Sequence, residues 1–226
     1  MNRARVIFRV AAAGWVVLGG WLVYATLADL THTLVVRVTP PEVLQDLIVR
    51  NAEDMLGRRA MFRVLLFTDE FRWRLASHDA LNDGAPDPHF TPEMKAVLNS
   101  AKEIICVGAS SEELPVGTSL NEGRVREEWR AGRRAERIAL WVRQALSSPI
   151  PVRKLNIGYH APTRGAGDTS DQRRVVIILV LDHDEDTNID QALRAAMARE
   201  SMRAPIFDTL LTKYSLASGP AFTWVP

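Results

Sequence analysis

The sequence predicts an α/β (α+β) sandwich, a mixed sheet with helices on one face, carried behind an N-terminal transmembrane helix. Three observations predict it. An apolar run without charge extends from Val10 to Ala28. Short stretches rich in branched apolar residues, at Met61–Phe67, Glu103–Gly108, Val152–Gly158 and Arg174–Leu181, have the length and composition of strands. Between them lie segments with apolar residues at three- and four-residue steps, bounded by prolines and glycines. The order is strand, helix, strand, helix, strand, strand.

Arg3, Arg5 and Arg9 precede the apolar run and Asp29 follows it. A helix rising ~1.5 Å per residue crosses a ~30 Å hydrocarbon core in about 20 residues, close to what the run supplies. Arginines ahead of the span place the N-terminus inside and export the remainder. The expected organisation is a short cytoplasmic tail at 1–9 and a transmembrane helix at 10–28. A cleaved signal peptide is the alternative, because Val23-Tyr24-Ala25 has the small-residue character of a cleavage site.

Thr31 to Val38 reads as an extended spacer. Pro41 then opens a helix over Glu42 to Leu56, with Val43, Leu44, Leu47, Ile48, Ala52 and Leu56 as its apolar set. Residues 29–59 are therefore expected as spacer and membrane-proximal helix, and 60–226 as the folded domain with a C-terminal helical extension. Thr91 caps a helix whose first turn holds Pro92 and whose apolar face is Met94, Val97, Leu98 and Ala101. After a polar loop from Ala109 to Gly123, a long helix runs from Arg124 to Leu146. Its expected buried stripe is Val125, Trp129, Gly132, Ala135, Ile138, Ala139, Val142 and Leu146, with Arg126, Arg130, Arg133, Arg134 and Arg137 off the centre. Pro149 and Pro151 end it. Asp190–Ala198 and Pro205–Tyr214 close the chain as helices.

Lysines and arginines nearly balance aspartates and glutamates across the 226 residues, for a net charge of +1. That gives no electrostatic case for nucleic acid. The single cysteine, Cys106, excludes an intrachain disulfide and sits in an apolar strand as an inert thiol. Asp182 to Asp190 has the alternating oxygens of a calcium loop, but Thr187 replaces the turn glycine and Leu193 the bidentate glutamate, so a solvated acidic loop capping a helix fits better. His78, Asp79, Asp83, Asp87 and His89 share one loop without ligand spacing, and turn formation explains them. Gly165-Ala166-Gly167 lacks phosphate-loop spacing. His160 has no nucleophile beside it. A hydrolase built on His78 and His160 is the enzymatic alternative; otherwise no catalytic residues, metal or cofactor are expected.

Four segments in order carry a resemblance. Gly108-Ala109-Ser110-Ser111 ends a strand, Arg133-Arg134-Ala135 lies on the long helix, Gly158-Tyr159-His160-Ala161-Pro162 forms a turn, and Gln172-Arg173-Arg174-Val175 opens the last strand. Together they resemble the OmpA-like domain shared by outer-membrane anchors, the flagellar stator subunit MotB and peptidoglycan-associated lipoproteins, over roughly Met61 to Leu181. The resemblance implies a non-enzymatic domain that binds the peptide of peptidoglycan. A strand-end aspartate would hold the ammonium of diaminopimelate, and a helix arginine its carboxylate through a planar fork.

Arg134 stands at the arginine and Ser111 at the aspartate, with Glu112 and Glu113 next to it; Glu127 stands near the family's helix asparagine. Arg134, Ser111, Glu112 and Glu127 are the ligand residues the resemblance implies, although serine supplies no charge. The implied location is the inner membrane, with the bulk of the chain in the periplasm. The implied partners are peptidoglycan, the membrane, and a second copy or another membrane protein. The span holds no carboxylate, which argues against ion-driven torque. A domain that keeps this fold as a protein–protein scaffold or oligomerisation module, without peptidoglycan binding, is the alternative.

Overall fold

The computed structural model describes residues 35–36, 43–82, 84–113, 117–162, 168–215 and 222–224. The expected span at 10–28 lies outside them; among the described residues no helix is long and apolar enough to cross a membrane. The chain divides into two compact units, Met1–Leu34 and Val35–Pro226. The second holds the sheet and all of the described helices.

Seven strands form one sheet: β1 (Val35–Val36), β2 (Val43–Glu53), β3 (Arg59–Phe67), β4 (Glu103–Ser110), β5 (Val152–Tyr159), β6 (Val176–His183) and β7 (Phe222–Trp224). Their spatial order is β1-β2-β3-β6-β4-β5-β7. Among the described residues only β4 and β5 are parallel neighbours. That pairing needs a long crossover, supplied by the helix α2 (Leu120–Ala145). Helix α1 (Pro92–Asn99) leads from β3 to β4, with Thr91 Oγ1 accepting from the Met94 amide as expected. Helix α3 (Ile189–Glu200) follows β6, capped by Asn188. The last helix, α4 (Pro205–Asp208), continues into a wider turn over Thr209–Lys213.

The helix expected over Glu42–Leu56 is instead strand β2. It pairs with β3 in antiparallel register, Leu47 opposite Val64 and Val49 opposite Phe62. The apolar residues there satisfy either period, and a long-range partner decided between them. Asp46 is buried at 1% exposure because Arg63 of β3 holds it with two hydrogen bonds of 2.8 Å. The register shifts between Val49 and Ala52, where Asn51 takes a φ of 52° as in a bulge. Val35–Val36 and Val43–Glu53, expected as spacer and helix, thus belong to the sheet.

A second correction concerns the layers. Leu65, Phe67, Ile104, Cys106, Ile177 and Leu179 form one core with Met94 and Leu98 of α1 and Ile138, Ala139 and Val142 of α2. Their alternates Val64, Ile105, Val107, Ile178 and Val180 are also buried, and alternation points them to the opposite face. There α3 packs on β2 and β3, and Leu66 and Val176 share a cavity wall with Pro205, Ile206 and Leu210. Helices therefore cover both faces. The C-terminal segment, expected as an extension, is the third layer.

Helix α2 begins earlier than expected, at a capping box in which Ser119 and Glu122 satisfy each other's amides. Its buried face is Gly123, Glu127, Ala131, Arg134, Ala135, Ile138, Ala139 and Val142. The second half matches the expected stripe. In the first half Val125 and Trp129 are 66% and 57% exposed and Glu127 goes inside; Arg134, just past the middle, is buried as well. The cause is a close approach at Gly108 of β4, where an added Cβ would lie 2.5 Å from the Ala135 amide nitrogen and 2.7 Å from Ala135 Cβ.

Candidate ligand site at the end of strand β4

Strand β4 ends at Ser110, and Ser111, Glu112 and Glu113 continue from it. Because α2 lies against the strand at Gly108, its Glu127, Arg130 and Arg134 reach the same end. A short turn over Ser170–Arg173 brings Gln172 and Arg173 there before β6 begins. The end of β5 joins through His160, whose amide donates to the Ser110 carbonyl at 2.8 Å. The Tyr214 hydroxyl donates to the Gln172 carbonyl at 3.1 Å. All four sequence segments that carry the resemblance therefore converge at one end of the sheet.

Arg134 is fully buried. Its Nε donates to the Ser77 carbonyl at 2.9 Å and its Nη1 to the Ala109 carbonyl at 2.8 Å, with the guanidinium carbon 5.6 Å from the Trp73 ring centre. Nη2 has no hydrogen-bond partner among the described residues. Burial pulls the guanidinium down to about 9; Arg130 and Arg173 push the same way and Glu127 opposes them. It is charged at neutral pH. Arg134 is neither the solvated arginine of a charged helix face nor, in this arrangement, one open to solvent: it pins α2 to β4 and to the loop at Ser77.

Ser111 is 2% exposed, and its hydroxyl donates to the carboxylate of Glu113. Glu112 is tied to Gln172 twice, its amide donating to Gln172 Oε1 at 3.0 Å and its carboxylate accepting from Gln172 Nε2 at 3.3 Å. Glu127 is buried and accepts from Ser110 Oγ and Arg130. The structure thus gathers Arg134, Ser111, Glu112 and Glu127 in one neighbourhood, each already engaged within the protein.

Three residues complete the neighbourhood. Glu113 accepts from Ser111 Oγ, from Thr169 Oγ1 and from Arg173 Nη1, the last at 3.3 Å. Arg173 belongs to a segment that the sequence singles out and Glu113 follows the aspartate position closely, but Thr169 belongs to neither. Their donors and acceptors come from positions 111, 113, 169 and 173, and no local spacing reports such a meeting.

The other candidates are dispersed. His78 lies edge-on to Trp129 at 5.0 Å, whereas His89 stacks on Phe71 at 4.2 Å. His160 packs edge-on against Tyr214, its Nδ1 2.7 Å from the Ala161 carbonyl oxygen. Asp182 pairs with Lys102, Asp184 accepts from the Arg59 amide at 2.7 Å, and Asn188 caps α3. Among the described residues no group of three or more such side chains could hold a metal ion. Cys106 is buried, which pushes its thiol well above the usual range.

No family model matches the chain. No curated protein matches it in sequence. Among solved structures it is similar to the cell wall anchor of the T6SS from Pseudomonas aeruginosa, at 15% identity and a TM-score of 0.37, over 69% of this chain and 94% of that one.

Proposed function

We propose that this chain is a non-enzymatic structural component of a bacterial cell envelope, whose folded domain recognises a carboxylate-bearing peptide of the cell wall at the end of β4. The observation that carries this reading is the convergence of the four segments, far apart in sequence, on one end of the sheet. Three arginines meet there: Arg130, Arg134 and Arg173. A guanidinium suits a carboxylate because its planar fork matches two oxygens. Arg134 is buried against β4, and Arg173 is nearer the surface, with its side chain 11% exposed. The charge-free run at 10–28 behind Arg3, Arg5 and Arg9 supports a single-pass inner-membrane anchor with the domain in the periplasm.

A second reading has its own observation. Arg134 and Ser111, two of the four positions the resemblance assigns to the ligand, are both engaged in internal hydrogen bonds. A domain with its site filled internally would serve as a scaffold for protein partners. Co-sedimentation of the full chain, in detergent, with protein-free sacculi separates the two. The first reading expects wild type in the pellet and Arg173→Glu in the supernatant. Wild type remaining in the supernatant would leave the scaffold.

A further inference from the structure

We propose that Ser111, Thr169 and Arg173 form an oxyanion site in which Glu113, the chain's own carboxylate, holds the place of a ligand carboxylate. This deepens the cell-wall reading and rests on it only for the identity of the ligand. One oxygen of Glu113 accepts from Ser111 Oγ, and the other from Thr169 Oγ1 and Arg173 Nη1. Three donors, one beside β4 and two on the turn before β6, therefore converge on one carboxylate.

The donors are the fixed part. Ser111 and Thr169 are 2% and 5% exposed. Arg173 Nη1 is also held by Thr169 Oγ1 at 3.2 Å. Between them Gln172 is buried and anchored by Glu112 and Tyr214. Glu113 is the open member, its side chain 37% exposed. Its carboxylate borders water, whereas Ser111 and Thr169 are buried.

Charge decides what must replace it. Arg130, Arg134 and Arg173 lie near Glu127, Glu113, Glu112 and Asp168, of which Glu127 is committed to Arg130 and Ser110, Glu112 to Gln172 and Asp168 to Ser170. Arg173 Nε and Arg134 Nη2 are buried without a hydrogen-bond partner among the described residues. A departing Glu113 leaves buried donors without an acceptor and removes the carboxylate paired with Arg173, a costly state unless another anion enters. The occupant is thus an oxyanion, best a carboxylate with two oxygens for the two sets of donors. Glu113 sets the threshold for its entry. Glu112 has no such role, since both its amide and its carboxylate are stitched to Gln172.

The test uses the full chain in detergent, as wild type, Glu113→Gln, Glu113→Gln with Arg173→Gln, and Glu70→Gln as an exposed control. Each is titrated with acetate against chloride at fixed ionic strength, following thermal unfolding, and separately with a diaminopimelate-containing tripeptide by calorimetry. Glu113→Gln is expected to bind acetate saturably and at least ten-fold more tightly than wild type or Glu70→Gln, and to lose this when Arg173 is also replaced. Equal responses in wild type and Glu113→Gln would overturn the oxyanion site. Acetate binding by Glu113→Gln without tripeptide binding would uphold the site and sink the cell-wall reading. Tripeptide binding untouched by Glu113→Gln, with no acetate response, would do the reverse.

Discussion

Replacing Gly108 by alanine tests the contact that sets the whole site. The new Cβ would lie 2.5 Å from the Ala135 nitrogen and 2.7 Å from Ala135 Cβ, and closer still to the Ala131 carbonyl oxygen. Two of these three atoms are backbone of α2, so no rotamer change makes room; the helix must lift from β4. Overpacking of this kind costs about 1–3 kcal/mol, and a rigid obstacle puts Gly108→Ala at the upper end. Removing a strand glycine returns roughly 0.5–1 kcal/mol of backbone entropy. The net loss is about 2 kcal/mol, which for a domain of this size lowers the melting temperature by roughly 4–8 °C.

Thermal unfolding followed by circular dichroism reads the shift directly. Ala135→Gly in the same chain should restore only part of it, because the carbonyl of Ala131 and the amide of Ala135 stay in place. A Gly108→Ala protein melting within about 1 °C of wild type would refute the close approach and, with it, the seat of Arg134.

Three further outcomes are expected. Arg134→Glu sets a carboxylate among the Ser77 and Ala109 carbonyls and should cost about 4 kcal/mol or more, whereas Arg134→Met trades two hydrogen bonds against a buried charge and should lose much less; urea titrations of the two compare them. Asp54 is held at about 2, since burial, which would raise it, is outweighed by hydrogen bonds from the Asn188, Arg58 and Leu56 amides and the Arg58 side chain. Its folded value lies below its unfolded one, so its stabilisation is present above about pH 4 and lost as pH falls towards 2. Asp54→Asn should flatten melting temperature against pH across that window. Asp46→Ala strands Arg63 and should cost about 3–5 kcal/mol, while Asp46→Leu with Arg63→Met should come near wild type, as denaturant midpoints would show.

The strands β3 to β6 and the two helices between them are legible because each satisfies its own period and carries its own stop signals: Thr91-Pro92, Pro149 and Pro151. Strand β2 is not, because Leu47, Ile48 and Ala52 suit a helix as well as a strand until β3 supplies a partner. The first half of α2 misleads for a related reason. A hydrophobicity stripe favours Val125 and Trp129 over Glu127 and Arg134, and only Ser110, Arg130 and two backbone carbonyls make burying the charged residues tolerable. Of the site, the segments at Ser111, Arg134 and Arg173 are visible as a resemblance. Glu113 is visible only as a neighbour of Ser111, since its role depends on where Thr169 and Arg173 fall in space. The burial of Arg134 also changes which variant can test binding: charge reversal there strikes the fold, whereas Arg173 lies nearer the surface.

The most direct measurement is a nuclear magnetic resonance titration of the full chain in detergent with a diaminopimelate-containing tripeptide, reading backbone amides and arginine Nε–Hε signals together. Carboxylate recognition at the end of β4 predicts saturable shifts confined to residues 110–113 and 169–173 and to the side chains of Arg134 and Arg173. A saturating peptide that moves none of these signals, or moves only signals elsewhere, would contradict it.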